Sequence, residues 1–298
     1  MSDDHFDDPR FDDPRFDDAR FDDALDAASL RTLLTTAARA RIATLDIVDV
    51  IDSTNSELLR RQTPTAGIAA LFAEHQTGGR GRQGRGWVSP PGRNLYLSLA
   101  RRFDGDLARL GGLSLVVGIA TAEALHALGA HNVRLKWPND LVIDGSHALY
   151  ARTLQKLGGA LIEGGLQDGQ TRAVIGLGLN LRMPKTATDA IDQPWTDLHA
   201  LLGAALPSRN TVAAAVLTTL VAAIDHFDAE GLTPFLPRFV ALDALRDAEI
   251  TATIGTIMQT GIAAGIADDG ALRLRNDHGE ILLRAGEVSV RKQPHAQA

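Results

Sequence analysis

Apolar positions along the first four fifths of the chain switch between two spacings. Runs of β-type residues predict strands over Ile42–Ile51, Gly67–Ala73, Asn94–Ala100, Val133–Trp137, Leu141–Asp144, Gly159–Glu163 and Ala173–Leu179. Three- and four-residue spacing predicts helices over Leu113–Leu128 and Thr211–Phe227, with a shorter one over Ser56–Arg61. A helical stretch with Leu30, Leu33, Leu34, Ala37 and Ala38 precedes them. Thr54-Asn-Ser-Glu57 has capping-box form, which sets the start of the helix near Ser53 or Thr54. Beyond Arg246 the pattern becomes short β-type runs broken by glycine: Glu249–Met258, Gly261–Ile266, Ala271–Arg275, Ile281–Arg284 and Val288–Arg291. Asp268-Asp-Gly270 and Asn276-Asp-His-Gly279 are hairpin turns in composition, because these residues accept positive φ. A small β-barrel is expected there.

Residues 1–26 follow neither spacing. They repeat a five-residue unit, Phe6-Asp-Asp-Pro-Arg10 to Phe21-Asp-Asp-Ala-Leu25. Such a unit buries too little area to offset its ordering entropy and is expected to be a disordered acidic tail. A short interaction motif built on the evenly spaced Phe is the alternative. The expected division is therefore 1–26 tail, 27–246 main domain, 247–293 barrel and 294–298 disordered end.

Charge changes the picture only once it is divided. The chain of 298 residues carries a net −7, of which residues 1–26 hold −8, leaving +1 elsewhere. The body thus has no global field for nucleic acid or anionic membrane, and any anion site must be local. No cysteine is present, which excludes disulfides, thiol nucleophiles and cysteine-bound metals. The acidic N-terminus is unlike a secretory signal, and no apolar run approaches bilayer length, so a soluble cytoplasmic protein is expected.

Three segments carry chemistry. Gln76-Thr-Gly-Gly-Arg80-Gly-Arg82-Gln-Gly-Arg85-Gly-Trp87 combines glycines that let a ligand reach the backbone with three planar donor forks suited to carboxylate or phosphate. Small-anion binding, an RGG-like RNA segment and a solvated hairpin all fit it in isolation. Lys136-Trp137-Pro138-Asn139-Asp140 places a cation at a strand end beside a Pro-constrained turn, or is simply a hairpin with Trp137 in the core. Gly176-Leu-Gly178-Leu-Asn180 lacks the third glycine of a dinucleotide fingerprint and the Lys-Ser/Thr of a P-loop. Glycine inside a strand signals close approach by a ligand or another backbone.

In this order, with Ser53-Thr54-Asn55 before them and Lys156-Leu-Gly-Gly-Ala-Leu-Ile-Glu163 between the last two, the segments resemble the biotin protein ligases over roughly residues 47–291. The resemblance implies an α+β fold: a mixed, largely antiparallel sheet flanked by helices, like the class II synthetases, with an SH3-like barrel after it. It implies ATP-dependent formation of biotinyl-5′-AMP with release of pyrophosphate, then transfer of biotin to a lysine of a carboxyl-carrier protein. ATP and biotin are the implied substrates, with Mg²⁺ held mainly by ATP. Ser53, Thr54, Asn55, Gln76, Arg80, Gly81, Arg82 and Lys136 would hold biotin; Arg82, Arg85, Trp87, Asn139, Gly178 and Asn180 would face the nucleotide. Lys136 and Arg82 would be the catalytic pair, and no protein metal site is implied. The base that deprotonates the carrier lysine is open, with Asp140 a candidate.

The Arg loop is expected to be mobile when empty and to close over the adenylate. Gly145–Gln155 lengthens the usual connection before Lys156 and is expected to form an extended loop. The acidic tail would repel phosphates, so operator binding is not expected. A homodimer is compatible with the sequence, though no residue specifies one. Lipoate or octanoate ligation on the same fold is the nearest alternative, followed by a nucleic-acid-binding protein and a non-catalytic biotin sensor.

Overall fold

A computed structural model describes residues 23–144, 153–184, 191–285 and 288–292. Most of the acidic repeat, positions 145–152 of the lengthened connection and the last six residues lie outside the described residues.

The main sheet has seven strands: β1 (Ile42–Ile51), β2 (Ile68–Gln76), β3 (Leu95–Phe103), β4 (Val133–Lys136), β5 (Asp140–Asp144), β6 (Leu154–Gln167) and β7 (Gln170–Leu179). Their spatial order is β1-β2-β3-β7-β6-β5-β4. Only β1 and β2 run parallel; the other neighbours are antiparallel, as the mixed α+β expectation requires.

Strand β2 is buried at six successive positions, Ile68–Ala73, because both faces of the sheet are covered. On one face Ala70, Phe72, Leu97, Leu99, Ile175 and Leu177 join the large core with helices α4 (Leu113–Ala127) and α6 (Arg209–Glu230). On the other, Ala69, Leu71, Ala100 and Val174 pack beneath Leu58 of the short helix α3 (Thr54–Arg60). The part of this second face that α3 leaves uncovered is where the cavity described below opens.

Several boundaries move, each for a local reason. The N-cap of α3 is Ser53, whose hydroxyl accepts from Ser56 N, so Glu57 falls one position too late for a capping box and instead pairs with Arg60 and Arg61. The leading helical stretch is two helices, α1 (Ala27–Leu33) and α2 (Thr36–Arg41), because Thr35 caps the second one with its side chain. The folded body reaches back into the segment assigned to the tail: Leu25 is buried, its N–H donates to Glu74, and the Asp23 carboxylate accepts from the Arg209 N–H. Two short helices, α5 (Leu198–Leu202) and α7 (Leu236–Leu242), are too brief to show periodicity in sequence. Leu154 and Gln155, placed in an extended loop by sequence, belong to β6 and pair with Asp144 and Ile143.

One sequence expectation about membranes is also corrected. Leu107–Ala127 and Arg209–Glu230 have the length and mean hydropathy (1.4 and 1.5) of spanning helices, but most of each apolar window is buried inside the fold. α4 packs against the sheet, α6 and α7, which makes it hydrophobic all round, and α6 packs against α4, α1, α2 and β3.

The C-terminal unit is an antiparallel sheet of β8 (Glu249–Ile254), β9 (Ile257–Ile266), β10 (Leu272–Asn276), β11 (Gly279–Leu283) and β12 (Val288–Lys292), in the order β11-β10-β9-β8-β12. Among the described residues β11 and β12 do not pair, so the expected barrel is an open sheet. The run Glu249–Met258 is broken by a tight turn at Gly255, whose φ is 58°. Trp137 joins the two sheets: its indole Nε1–H donates to Gly270 O at 2.9 Å. Ala244 N donates to Leu135 O alongside.

Asp243, at the end of α7 in this junction, has its carboxyl pushed up to about 6 by burial, against backbone donation from Leu245 N and the charge of Arg246. A carboxyl raised above its unfolded value binds protons more tightly when folded, so its contribution falls as pH rises from about 4 through about 6. Asp243→Asn keeps the acceptor for Leu245 and is expected to stabilise the chain by about 2 kcal/mol at pH 7 and hardly at all at pH 4. Thermal unfolding at both pH values checks this; equal shifts would refute the burial argument.

Candidate active site

The cavity has a volume of about 680 Å³ and is walled by α3, the end of β2, the loop after it, the β4–β5 turn, β6, β7 and the last strand of the C-terminal sheet. Every residue singled out from the sequence lines it: Ser53, Thr54, Asn55, Gln76, Arg80, Gly81, Arg82, Arg85, Trp87, Lys136, Asn139, Gly178 and Asn180.

One end is a set of neutral polar groups. Gln76 Oε1 accepts from Thr54 N at 2.9 Å and lies 3.1 Å from the Thr54 hydroxyl. Ser98 Oγ lies 2.7 Å from Thr54 Oγ1 and 2.6 Å from Asn55 Oδ1. Ser53, Thr54, Asn55 and Ser98 are all buried. Groups at this depth require partners, and they are arranged to offer both donors and acceptors to a polar, uncharged ligand head.

The loop 77–87 is a small hairpin. Gly81 N donates to Arg85 O at 2.7 Å and Trp87 N to Gly79 O at 2.9 Å, with Gln83 and Gly84 turning through positive φ. It is tethered on two sides: Arg80 Nη2 is 3.0 Å from Glu163 Oε2, and Arg82 Nη1 is 3.4 Å from Asn139 Oδ1. The Arg82 guanidinium pKa is lowered, chiefly by burial, opposed by Asp140 and aided by the like charge of Arg85.

At the strand end Lys136 points in with 15% of its side chain exposed. Its ammonium lies 3.7 Å from Asp140 Oδ2, and its pKa is lowered by burial first, with Asp140 opposing and Arg291, Lys156 and Arg85 reinforcing. Lys156 Nζ approaches Asp140 Oδ1 at 2.7 Å and sits 5.4 Å from the centre of the Trp87 ring. One carboxylate thus serves two ammonium groups, with Arg82 and Arg85 nearby, so the cavity holds a surplus of positive charge that an anionic ligand would neutralise.

The glycines of β7 have a specific cause. A Cβ on Gly176 would stand 2.3 Å from Asn55 Oδ1, and one on Gly178 would stand 2.5 Å from Trp87 Cε2. The close approach inferred from the sequence is made by side chains of the site, not by a second backbone. The Trp87 indole N–H is buried without a partner, on the edge of the ring that packs against Gly178. Asn180 Nδ2, in contrast, is committed to Thr196 O at 3.1 Å and fastens the end of β7 to the next segment.

Sequence reasoning left several residues in or beneath the site without a role. Lys156 stood in a quoted motif, and its place before Leu-Gly-Gly was the available signal. Ser98, beneath Thr54 and Asn55, and Val290 and Arg291 from β12 gave none, because only the folded chain brings them to the site. Among the described residues no group of three or more His, Asp or Glu converges in a way that could hold a metal.

Comparison with known proteins agrees with this architecture. Residues 47–180 match the Biotin/lipoate A/B protein ligase family, and residues 248–291 match the Biotin protein ligase C terminal domain. The fold is therefore that of the biotin and lipoate ligases. The bifunctional ligase/repressor BirA of Salmonella typhimurium is 42% identical over 246 residues, covering 82% of this chain and 73% of that protein. The biotin–[acetyl-CoA-carboxylase] ligase of Mycobacterium tuberculosis is 33% identical, covering 89% and 95%. A solved structure of the Aquifex aeolicus biotin protein ligase with biotin and ATP superimposes with a TM-score of 0.67 at 26% identity, covering 85% and 99%. This chain belongs to the biotin protein ligase family.

Proposed function

We propose that the protein is an ATP-dependent biotin–protein ligase. It joins the biotin carboxylate to the α-phosphate of ATP, releasing pyrophosphate, and passes the acyl group to a lysine of a carboxyl-carrier protein, releasing AMP. The observation that carries this reading is the cavity's division: a buried neutral polar end at Thr54, Asn55 and Gln76, and a cationic end at Arg82, Lys136 and Lys156. Biotin has the matching form, a polar uncharged ureido ring at one end of an aliphatic chain and a carboxylate at the other.

In this reading Ser53, Thr54, Asn55 and Gln76 hold the ureido group, and Arg80 and Gly81 close over the chain. Lys136 and Arg82 face the oxygen that attacks and the α-phosphate it attacks, where negative charge concentrates. No side chain need act as a nucleophile, because the carboxylate itself attacks. Trp87, Arg85, Asn139, Gly178 and Asn180 form the nucleotide side, where the Trp87 ring offers a flat apolar surface. Loop closure then keeps water from the mixed anhydride. Mg²⁺ would be held mainly by the phosphate oxygens of ATP and by water, and would offset phosphate charge there.

The −8 charge of residues 1–26 opposes binding to DNA phosphates, so we read the chain as acting without operator binding. Its use of ATP fits the cytoplasm.

Calorimetric titration with biotin, repeated with ATP·Mg²⁺ while pyrophosphate is followed, tests the function. Biotin binding with ATP-dependent pyrophosphate release is expected. Binding of lipoate in preference to biotin would reassign the acyl acid, and binding without pyrophosphate release would leave a sensor.

A further inference from the structure

Glu163, on β6, receives donors from two separate elements. Asn55 Nδ2 reaches Oε2 at 2.8 Å from α3, and Arg80 Nη2 lies 3.0 and 3.2 Å from the two carboxylate oxygens. The Asn55 amide cannot be turned over, because its Nδ2 faces this carboxylate and the Leu161 carbonyl; Oδ1 must therefore face Ser98. An amide oxygen only accepts, so the Ser98 proton is committed to it, and Ser98 Oγ, 2.7 Å from Thr54 Oγ1, accepts from the Thr54 hydroxyl. A continuous chain of polar contacts thus runs from Thr54 through Ser98, Asn55 and Glu163 to Arg80. Bare backbone at Gly176 lies against the Asn55 amide and leaves it little room to swing.

The chain ends on the hairpin over the cavity. A second side-chain tether of that hairpin, Arg82 to Asn139, is longer at 3.4 Å and lies at the β4–β5 turn. With Arg80 42% exposed and Glu163 25%, the pair is too wet to matter much for the stability of the fold. Its effect is on where the hairpin rests.

We propose that Glu163 is a positioning residue that ties occupancy of the polar end of the cavity to closure of the Arg hairpin. The inference rests on the reading of Thr54 and Asn55 as the biotin head-group end. A ligand bonded there restrains the Asn55 amide, which holds Glu163 where it grips Arg80, and the closed hairpin delays the ligand's departure. Glu163 touches no reacting atom, so it governs residence rather than the chemical step.

The test uses the full chain and Glu163→Gln, which keeps side-chain volume and a carbonyl acceptor for Asn55 but removes the charge that Arg80 meets. Backbone hydrogen exchange over residues 77–87 and the biotin dissociation rate are measured with and without biotin. Biotin is expected to slow exchange of the hairpin in the wild-type chain and not in Glu163→Gln. Dissociation from the variant is expected to be about tenfold faster, with a raised KM for biotin and kcat within about twofold. In an Arg80→Gln background the same change at Glu163 should add nothing, since both break one contact. Hairpin protection in Glu163→Gln equal to wild type, or a further loss in the Arg80→Gln background, overturns the inference. A wild-type chain that binds no biotin would instead remove the functional reading beneath it, so the wild-type control separates the two failures.

Discussion

Lys136→Ala is expected to lower the rate of biotin-dependent pyrophosphate release by at least about a thousandfold, on the order of 4 kcal/mol of lost transition-state stabilisation. The fold should survive. Asp140 keeps Lys156 at 2.7 Å, so no buried carboxylate is left unpaired and thermal unfolding should move little. Pyrophosphate release and unfolding measured on one preparation check both statements; unimpaired turnover would remove Lys136 from the mechanism. The pH dependence carries a further signature. Burial lowers the Lys136 pKa, and the charged form is the one that meets the carboxylate and phosphate oxygens. Activity should therefore decline as pH rises through that lowered value, before a free lysine would deprotonate, and the decline should vanish in Lys136→Arg if activity is retained.

The second large effect is on stability. Trp137 is 1% exposed and is one of the largest side chains buried in the fold, with its N–H spent on Gly270 O of the C-terminal sheet. Trp137→Ala should cost about 3–5 kcal/mol through the cavity it leaves. The Gly270 carbonyl also loses its donor. At roughly 2–4 °C per kcal/mol for a chain of this size, the unfolding midpoint should fall by about 10 °C. The loss should also reach the active site, because Val290 and Arg291 of β12 line the cavity and are carried by the sheet that Trp137 anchors. Trp137→Phe should fall between the two. If Trp137→Ala unfolds like the wild type, the junction is held by other contacts and this account of it is wrong.

Much of this site could be read from the sequence because its chemistry lies in short segments. Lys136 to Asp140 occupy one strand end and turn, and the three arginines share one hairpin, so residue type and spacing sufficed. The supporting contacts could not be read in that way. Glu163 and Asn55 are separated by 108 positions, and Arg291 lines the same cavity as Lys136 from another sheet, so neither leaves a local pattern. The same divide appears in the fold. Strand β1 and the α4 and α6 helices followed from the sequence pattern, whereas only the middle of β6 (Gly159–Glu163) did, and the start of α3 turned on which of two adjacent hydroxyls caps it. The tail boundary depended on Leu25 and Asp23 finding partners on Glu74 and Arg209, far along the chain.

The two glycines of β7 have a consequence for how this chain tolerates change. Neither Gly176 nor Gly178 has positive φ, so the backbone would accept any residue there. What forbids a side chain is the occupant opposite, Asn55 in one case and Trp87 in the other. The restriction is thus conditional and belongs to pairs of positions: a smaller partner at 55 or 87 would relax it. Substitutions at 176 and 55, or at 178 and 87, should therefore be epistatic, and a survey of single replacements would report as invariant two sites that are only interdependent.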